Sequence, residues 1–244
     1  VEILDEEGER ALGKPRGTYV TLECMPAHEP AAFAAQSALL SRHIRALLPV
    51  GAHVLVAGLG NEAVTPDAVG PRCADHVLVT RHLTHADPRN FGSFYPVAAL
   101  AAGVLGTTGV ESGELVQAVC EKIRPGFVIA VDALAARSVR RLCTTIQIAD
   151  TGISPGSGVG NRRFALNAET LGVPVIAVGV PTVVDGASLA RELGGRADGE
   201  LAEMLVTPKD VDTLITELSK LLGYGINAAL QRGLSVADMD YFLG

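Results

Sequence analysis

The chain alternates short apolar runs with longer stretches in which apolar residues recur with the period of a helix. Continuous apolar or β-branched runs of this length are typical of strands buried in a sheet. They cover residues 53–57, 97–101, 127–131, 144–148 and 173–178, and a sixth run at 18–22 is expected to form an edge strand. Helical periodicity marks residues 29–48, 69–83, 113–123 and 208–222, and a Thr207-Pro208 pair typical of a helix start introduces the last of these.

Strands that alternate with helices predict crossover connections, and therefore an α/β fold whose parallel sheet is covered by helices on both faces. Two segments that contain several glycines interrupt the alternation, residues 150–161 and residues 187–200, and both are predicted to be loops. Neither an internal repeat nor a clear linker divides the sequence, so we expect one α/β domain over residues 1–244.

The composition predicts a hydrophobic core that is stable without a disulfide or a metal ion. Of the 244 residues, 48% are hydrophobic, 4% are aromatic and none is Trp, so the core must consist mainly of Ala, Val, Leu and Ile. A chain of this length can bury roughly three quarters of its unfolded surface and needs neither a disulfide nor a metal to stay folded. Cys24, Cys73, Cys120 and Cys143 are scattered, and we interpret them as reduced packing residues of a cytosolic protein.

The charge and hydropathy of the chain argue against two classes of binding partner, nucleic acids and membranes. The formal net charge is −7 and no run of Lys or Arg stands out, so direct nucleic-acid binding is not expected. No run reaches the about 18 apolar residues of a membrane span, and no signal peptide opens the chain. We therefore expect a soluble intracellular protein with no membrane contact.

Acidic residues stand where several predicted strands end. Asp67 lies in the loop after one strand, Asp132 directly follows another, and Asp150 and Asp185 follow two more. In an open α/β sheet, ligands bind beyond the carboxyl ends of the strands. We therefore expect the four aspartates to converge on one rim and to line a cleft.

Each aspartate also has a structural interpretation. Asp150 and Asp185 stand in turn-like sequence, where Asp caps helices or forms Asx-turns, and this role is favoured for both. Asp67 could cap a helix that begins directly after it, and Asp132 could cap a helix predicted in the segment LAARSVRRL. Capping alone explains Asp132 less well, because it directly follows a fully apolar strand.

Two carboxylates held close together can act as an acid and a base. Both cannot easily ionise, so one keeps a proton while the other accepts one, and together they can activate water and protonate a leaving group. This chemistry requires no nucleophilic side chain and no obligatory metal. With a third ligand, the same pair could instead hold a divalent metal ion.

A glycine pattern after the second predicted strand resembles a dinucleotide-binding motif. Residues 58–63 match G-x-G-x-x-A formally, but Pro66 stands where the required helix should run, and no acidic residue closes a second strand at the right distance. We therefore interpret the glycines as a tight turn that presents Asn61 and Asp67.

Other candidate residues lie in a second glycine-rich segment and beyond Asp132. Residues 155–161 lack the Lys of a P-loop and are interpreted as a substrate-contacting loop, with Ser157 and Asn161 as candidates. Arg137, on the helix predicted after Asp132, could hold a substrate carboxylate or simply form an ion pair. No His follows His85, which argues against the usual order of a serine hydrolase triad.

Four blocks of the sequence closely resemble blocks of the germination protease family: VAGLGNEAVTPDAVGP, VIAVDALAARSVRR, TTIQIADTGISPGSGVGNRR and LGVPVIAVGVPTVVDGAS. They occur in the family's order, and the resemblance extends from residue 17 to the GINAAL segment near the end of the chain. It implies a cytosolic endopeptidase of the spore core, made as a zymogen, that degrades small acid-soluble DNA-protecting spore proteins during germination. It also implies a homo-oligomer, namely a tetramer.

The resemblance further implies a fold and a site. The family's two essential aspartates fall on Asp67, in TPDA, and Asp132, in DALAARS. Its fold resembles that of the hydrogenase maturation peptidases, three α/β/α layers around a mostly parallel twisted sheet. Those relatives bind a metal through two acidic positions and a histidine, but no histidine here matches the third position. We therefore expect no metal and no other cofactor.

Two alternatives remain beside the aspartate-dependent peptidase. One is a metal-dependent maturation-type peptidase that uses the same carboxylates as ligands. The other is a non-catalytic α/β module that binds a nucleotide or phosphate on its glycine-rich loops. Compared with the family pattern, we also expect this chain to lack the upstream propeptide region and to have a shortened stretch between Asp185 and Met204.

Overall fold

The computed structural model describes residues 1–24, 29–48, 53–156 and 164–243. Within them, an 8-stranded sheet has the order β1-β2-β6-β7-β5-β3-β4, and β8 pairs with β7. The strands are β1 (Glu2–Leu4), β2 (Gly17–Glu23), β3 (Val54–Leu59), β4 (Val97–Gly103), β5 (Phe127–Ala136), β6 (Thr145–Ala149), β7 (Val175–Asp185) and β8 (Leu205–Val206).

Helices of four to twenty residues connect and cover these strands. They are α1 (Glu6–Leu12), α2 (Pro30–Leu47), α3 (Val69–Asp75), α4 (Arg81–Ala86), α5 (Pro88–Phe91), α6 (Leu105–Thr108), α7 (Ser112–Ile123), α8 (Ala168–Leu171), α9 (Gly186–Glu192), α10 (Glu200–Glu203), α11 (Val211–Leu230) and α12 (Val236–Leu243). Two short 3-10 turns, Thr65–Asp67 and Val139–Arg141, follow β3 and β5. None of the helices in the described part of the chain combines the length and the apolar character that crossing a membrane requires.

One half of the sheet is parallel and the other half is antiparallel. Strands β4, β3, β5 and β7 run parallel to one another, whereas β6 runs antiparallel to β7 and is followed by β2 and β1, also antiparallel. The expected α/β fold with a sheet between helical layers is confirmed, and the four strands β4, β3, β5 and β7 form its parallel part. The antiparallel side was not predicted, and β2 is not the edge strand because β1 pairs outside it.

Strand alternation divides the core between the two faces of the sheet. On one face, Ile129 and Val131 of β5 pack in a cluster with α2, α3 and α11. On the opposite face, Val128 and Ala130 pack in a cluster with α7 and α8. Parallel strands buried on both faces cannot show a polar alternation, which is why they appear as continuous apolar runs in the sequence. The four cysteines are free and buried, as expected for packing residues.

The predicted helix over residues 69–83 is interrupted. α3 ends at Asp75 and α4 begins at Arg81. Between them, the buried side chain of Asn227 accepts a hydrogen bond from the Leu78 N–H (2.9 Å) and donates one to the His76 carbonyl (2.8 Å). An amide from α11 therefore satisfies the backbone that the break would otherwise leave unpaired.

Three other boundary predictions are corrected. The α-helix predicted for the segment LAARSVRRL after Asp132 does not form, because β5 continues to Ala136 and stays paired with β7. α11 begins at Val211 rather than at the Thr207-Pro208 pair, since the Thr207 hydroxyl donates to the Thr182 carbonyl instead of capping a helix. The segment at residues 187–200 is also not wholly a loop, because α9 occupies its first part.

Replacing Asn227 by Ala should lower the free energy of unfolding by about 1–3 kcal/mol, because a buried backbone N–H would lose its partner. Denaturant unfolding of the purified protein measures this change. Arg232→Ala, an exposed position just beyond α11, is the matched control and should stay within about 0.5 kcal/mol of the unchanged protein. Equal stability of the two variants would contradict the role assigned to Asn227.

Candidate active site where β3 ends beside β5

A tight turn follows β3 at the carboxyl end of the sheet. Gly60 has a φ of 114°, which non-glycine residues rarely adopt. A Cβ atom at this position would also overlap the carbonyl oxygen of Asp67. Glycine is therefore required here both by the backbone angle and by the closeness of the returning chain.

The turn is closed by hydrogen bonds onto Asp67. The Asn61 N–H donates to Oδ2 of Asp67 at 2.7 Å, and the Ala63 N–H donates to Oδ1 of Asn61 at 3.0 Å. The Asp67 N–H donates to the Val64 carbonyl, which continues the chain into the 3-10 turn. The prediction that the glycines form a tight turn presenting Asn61 and Asp67 is confirmed, and Asp67 does not cap α3, whose N-terminal cap is Ala68.

Close backbone packing brings this turn to β5. A Cβ on Gly58 would overlap the carbonyl of Gly70, and a Cβ on Gly70 would overlap the carbonyl of Leu59 and lie 2.5 Å from that of Val131. The start of α3 thus lies directly on the end of β3 and on the middle of β5. The 3-10 turn that carries Asp67 contacts β5, β7 and α11.

Asp132 lies inside β5 rather than at its end. It is 5% exposed, and its Oδ1 accepts a hydrogen bond from the Ala133 N–H at 3.0 Å. It follows Val131, the residue against which Gly70 packs, and it is paired with Gly179 of β7. Asp67 and Asp132 therefore come from neighbouring strands at the same rim of the sheet.

Asp150 does not join this rim, contrary to the expected convergence. β6 runs antiparallel to β7, so its carboxyl end points the other way. Because Ala149 pairs with Ala177, Asp150 lies beside Ile176 of β7. This is three residues, or roughly 10 Å, along β7 from Gly179, the residue that pairs with Asp132. Its Oδ1 accepts a hydrogen bond from the Thr18 N–H at 2.7 Å, which ties β6 to the start of β2. The favoured structural role fits, although the partner is a distant strand and not a local turn.

Asp185 is also separated from the pair. It ends β7, six residues beyond Gly179 and therefore about 20 Å further along the strand. Its Oδ1 accepts from the Ser188 N–H at 2.7 Å and caps α9, as the structural interpretation predicted. Hydrogen bonds from Ser188 hold the pKa of Asp185 below its usual range.

The remaining candidates contribute little to the described rim. Arg137 is exposed and follows the end of β5, five residues past Asp132, and not on a helix. Ser157 and Asn161 lie outside the described residues. Across residues 1–24, 29–48, 53–156 and 164–243, no three His, Cys, Asp or Glu side chains are grouped so that they could hold a metal ion.

Sequence reasoning missed the residues that position the pair. Gly58 and Gly70 have no reactive side chains, yet a side chain at either position would push α3 away from the sheet. The sequence shows a glycine at the end of an apolar run and a second glycine early in the next helix. This pattern indicates close packing only once the fold is known.

Comparisons with known proteins identify the family to which the chain belongs. The family model described as germination protease matches residues 1–193. A germination protease of Caldanaerobacter subterraneus subsp. tengcongensis is 42% identical over all of this chain and 87% of its own length, and one of Clostridium perfringens is 40% identical over the same shares. The chain belongs to the germination protease family.

Two further similarities cover less of this chain. The germination protease of Priestia megaterium is 48% identical, over 79% of this chain and 54% of its own length. Among solved structures, the [NiFe] hydrogenase maturation protease HycI from Thermococcus kodakarensis KOD1 covers 78% of this chain and 99% of its own, with 18% identity and a TM-score of 0.47.

Gly60→Ala should reduce peptidase activity by about 100-fold, because it displaces Asp67 by the size of a methyl group and a shift of about 1 Å can cost that much. Backbone strain should also lower stability by roughly 1–3 kcal/mol. Activity and thermal unfolding of the purified variant measure both effects. The control is Gly106→Ala, in the exposed helix α6, where nothing lies within 4 Å of the added atom. Unchanged activity in Gly60→Ala would show that the turn does not position a group the reaction needs.

Proposed function

We propose that the protein is an endopeptidase in which Asp67 and Asp132 are the catalytic carboxylates and small acid-soluble spore proteins are the substrates. The observation that carries the proposal is the position of the two family blocks TPDA and DALAARS. They are far apart in the sequence, yet one aspartate lies in the turn after β3 and the other in the neighbouring strand β5, and the packing of Gly70 on Val131 connects the two.

The proposed mechanism divides one proton between the two carboxylates. The ionised carboxylate removes a proton from a water molecule, whose oxygen bonds to the carbonyl carbon of the scissile peptide. The protonated carboxylate gives its proton to the leaving nitrogen as the C–N bond breaks. The N–H of Asn61 donates to Oδ2 of Asp67, and the N–H of Ala133 donates to Oδ1 of Asp132, so each carboxylate is held in place by a backbone donor.

The biological setting is part of the proposal and rests on the family resemblance. The protein would act in the cytoplasm of the spore core during germination, after activation from a zymogen, and as a homotetramer. Light scattering of the purified protein tests the tetramer directly. A single monomeric species at micromolar concentration would remove this part of the proposal without touching the catalytic assignment.

Asp67→Asn and Asp132→Asn should each reduce cleavage by about three orders of magnitude or more, because Asn keeps the shape of Asp but cannot transfer a proton. The assay incubates the purified variant with a small acid-soluble spore protein and follows the products by mass. Unfolding measurements show whether each variant keeps its fold. If the unchanged, correctly folded enzyme leaves the spore protein intact, the proposed substrate is wrong.

Asp150→Asn and Asp185→Asn are the matched controls for these two variants. Both carboxylates accept backbone hydrogen bonds that an Asn oxygen can also accept, so activity should change by only a few-fold. Loss of cleavage in Asp150→Asn comparable to that in Asp132→Asn would move the catalytic centre towards β6. Substantial activity in Asp67→Asn or Asp132→Asn would refute the pair.

Exhaustive chelation followed by assay in metal-free buffer should leave activity nearly unchanged, because a carboxylate pair and a water complete the proposed machinery. A carboxylate cluster can attract hard cations from the buffer without needing them, so metal analysis alone does not decide the mechanism. The deciding readout is activity. If chelation silences the enzyme and one divalent ion restores it, the carboxylates are ligands and the metal-dependent alternative replaces the aspartic one.

A further inference from the structure

One row of residues crosses the sheet at the level of Asp132. Gly179 of β7 is paired with Asp132 on one side and with Gln147 of β6 on the other. Gln147 is in turn paired with Thr21 of β2. Residues directly opposite each other in neighbouring strands present their side chains on the same face, so Asp132, Gln147 and Thr21 project from one face of the sheet.

The space above the glycine in this row, between Asp132 and Gln147, is filled by a leucine side chain. Gly179 has no side chain, and the side chain of Leu134 lies over it so closely that an added Cβ would overlap its Cδ1. Neighbouring strands are about 4.8 Å apart, which places the Cα atoms of Asp132 and Gln147 roughly 10 Å apart. An apolar floor formed by Leu134 therefore separates a buried carboxylate from a carboxamide.

The residues of this row become more exposed to solvent with distance from Asp132. Asp132 is buried, Gln147 is half-buried and Thr21 is exposed. Among the residues that the structure describes, none forms a hydrogen bond with the carboxamide of Gln147. A carboxamide offers one acceptor and two donors, the same groups as the C=O and N–H of a peptide unit.

We propose that Gln147 is a substrate-positioning residue that hydrogen-bonds the backbone of the bound peptide about three residues from the cleaved bond. The distance follows from the row, because an extended chain advances about 3.3 Å per residue and the two Cα atoms are roughly 10 Å apart. Leu134 lies under the intervening residues of the substrate. This inference rests on the proposed function, since it takes Asp132 as the place where the peptide is cleaved.

Gln147→Leu should lower kcat/KM by about 3- to 10-fold, mainly through a higher KM, because it removes an interaction made equally in the bound substrate and in the transition state. Gln147→Glu keeps the acceptor but loses the donors and should show an intermediate loss. Thr21→Val is the matched control, because it lies in the same row one strand further out and should change kcat/KM by less than twofold. Thermal unfolding of each variant shows that the fold is intact.

Peptide length supplies a readout that a merely structural role would not change. Two peptides are compared, one that extends four residues beyond the cleaved bond on each side and one that extends a single residue on each side. The effect of Gln147→Leu should be present with the long peptide and absent with the short one. An equal effect on both peptides, or an effect no larger than that of Thr21→Val, would overturn the inference.

Binding to an inactive enzyme separates the failure of this inference from the failure of the proposed function. The long peptide, labelled with a fluorophore, is titrated into Asp132→Asn and into the double variant Asp132→Asn/Gln147→Leu. A 3- to 10-fold weaker affinity in the double variant supports the inference, and equal affinities overturn it alone. An Asp132→Asn enzyme that still cleaves would overturn the proposed function and the inference with it.

Discussion

The close contact of α3 with the end of β3 and the middle of β5 is the constraint on which the candidate site depends. Gly58 and Gly70 let two backbones approach until no Cβ would fit, and the Val131 carbonyl completes the contact. Because Asp67 lies three residues before Gly70, this packing fixes the distance of its turn from β5. A site built on such a contact is rigid, since closely packed backbone cannot relax gradually when a side chain is added.

The two carboxylates are held in different ways. Asp67 stands in a loop, where a left-handed glycine, the Asn61 amide and the 3-10 turn determine its position. Asp132 needs no turn, because the ladders on both sides of β5 hold its backbone. Buried polar groups are tolerated only when they are hydrogen-bonded, and both aspartates accept backbone N–H donors. Strand pairing therefore fixes the position of Asp132, and the turn at the rim of the sheet fixes the position of Asp67.

Much of the fold could be predicted because burial on both faces leaves continuous apolar runs. The runs at residues 53–57, 97–101 and 127–131 all became strands, and Gly60 with Pro66 correctly indicated a turn instead of a dinucleotide site. Strand direction could not be predicted, because pairing partners are set by tertiary packing and not by local sequence. For this reason Asp150 was expected at a rim from which β6 actually runs away.

The change from parallel to antiparallel pairing at β6 explains why a polar surface lies beside Asp132. A parallel strand arrives through a crossover whose helix covers the sheet, whereas an antiparallel strand can leave one of its faces open to solvent. Val128 and Ala130 precede Asp132 on a face covered by α7 and α8, while Gln147 and Thr21, further along the same row, are increasingly exposed. The carboxylate thus stands at the boundary between the covered and the open part of one face. Under the proposed function, an extended peptide would reach Asp132 from the open part of this face.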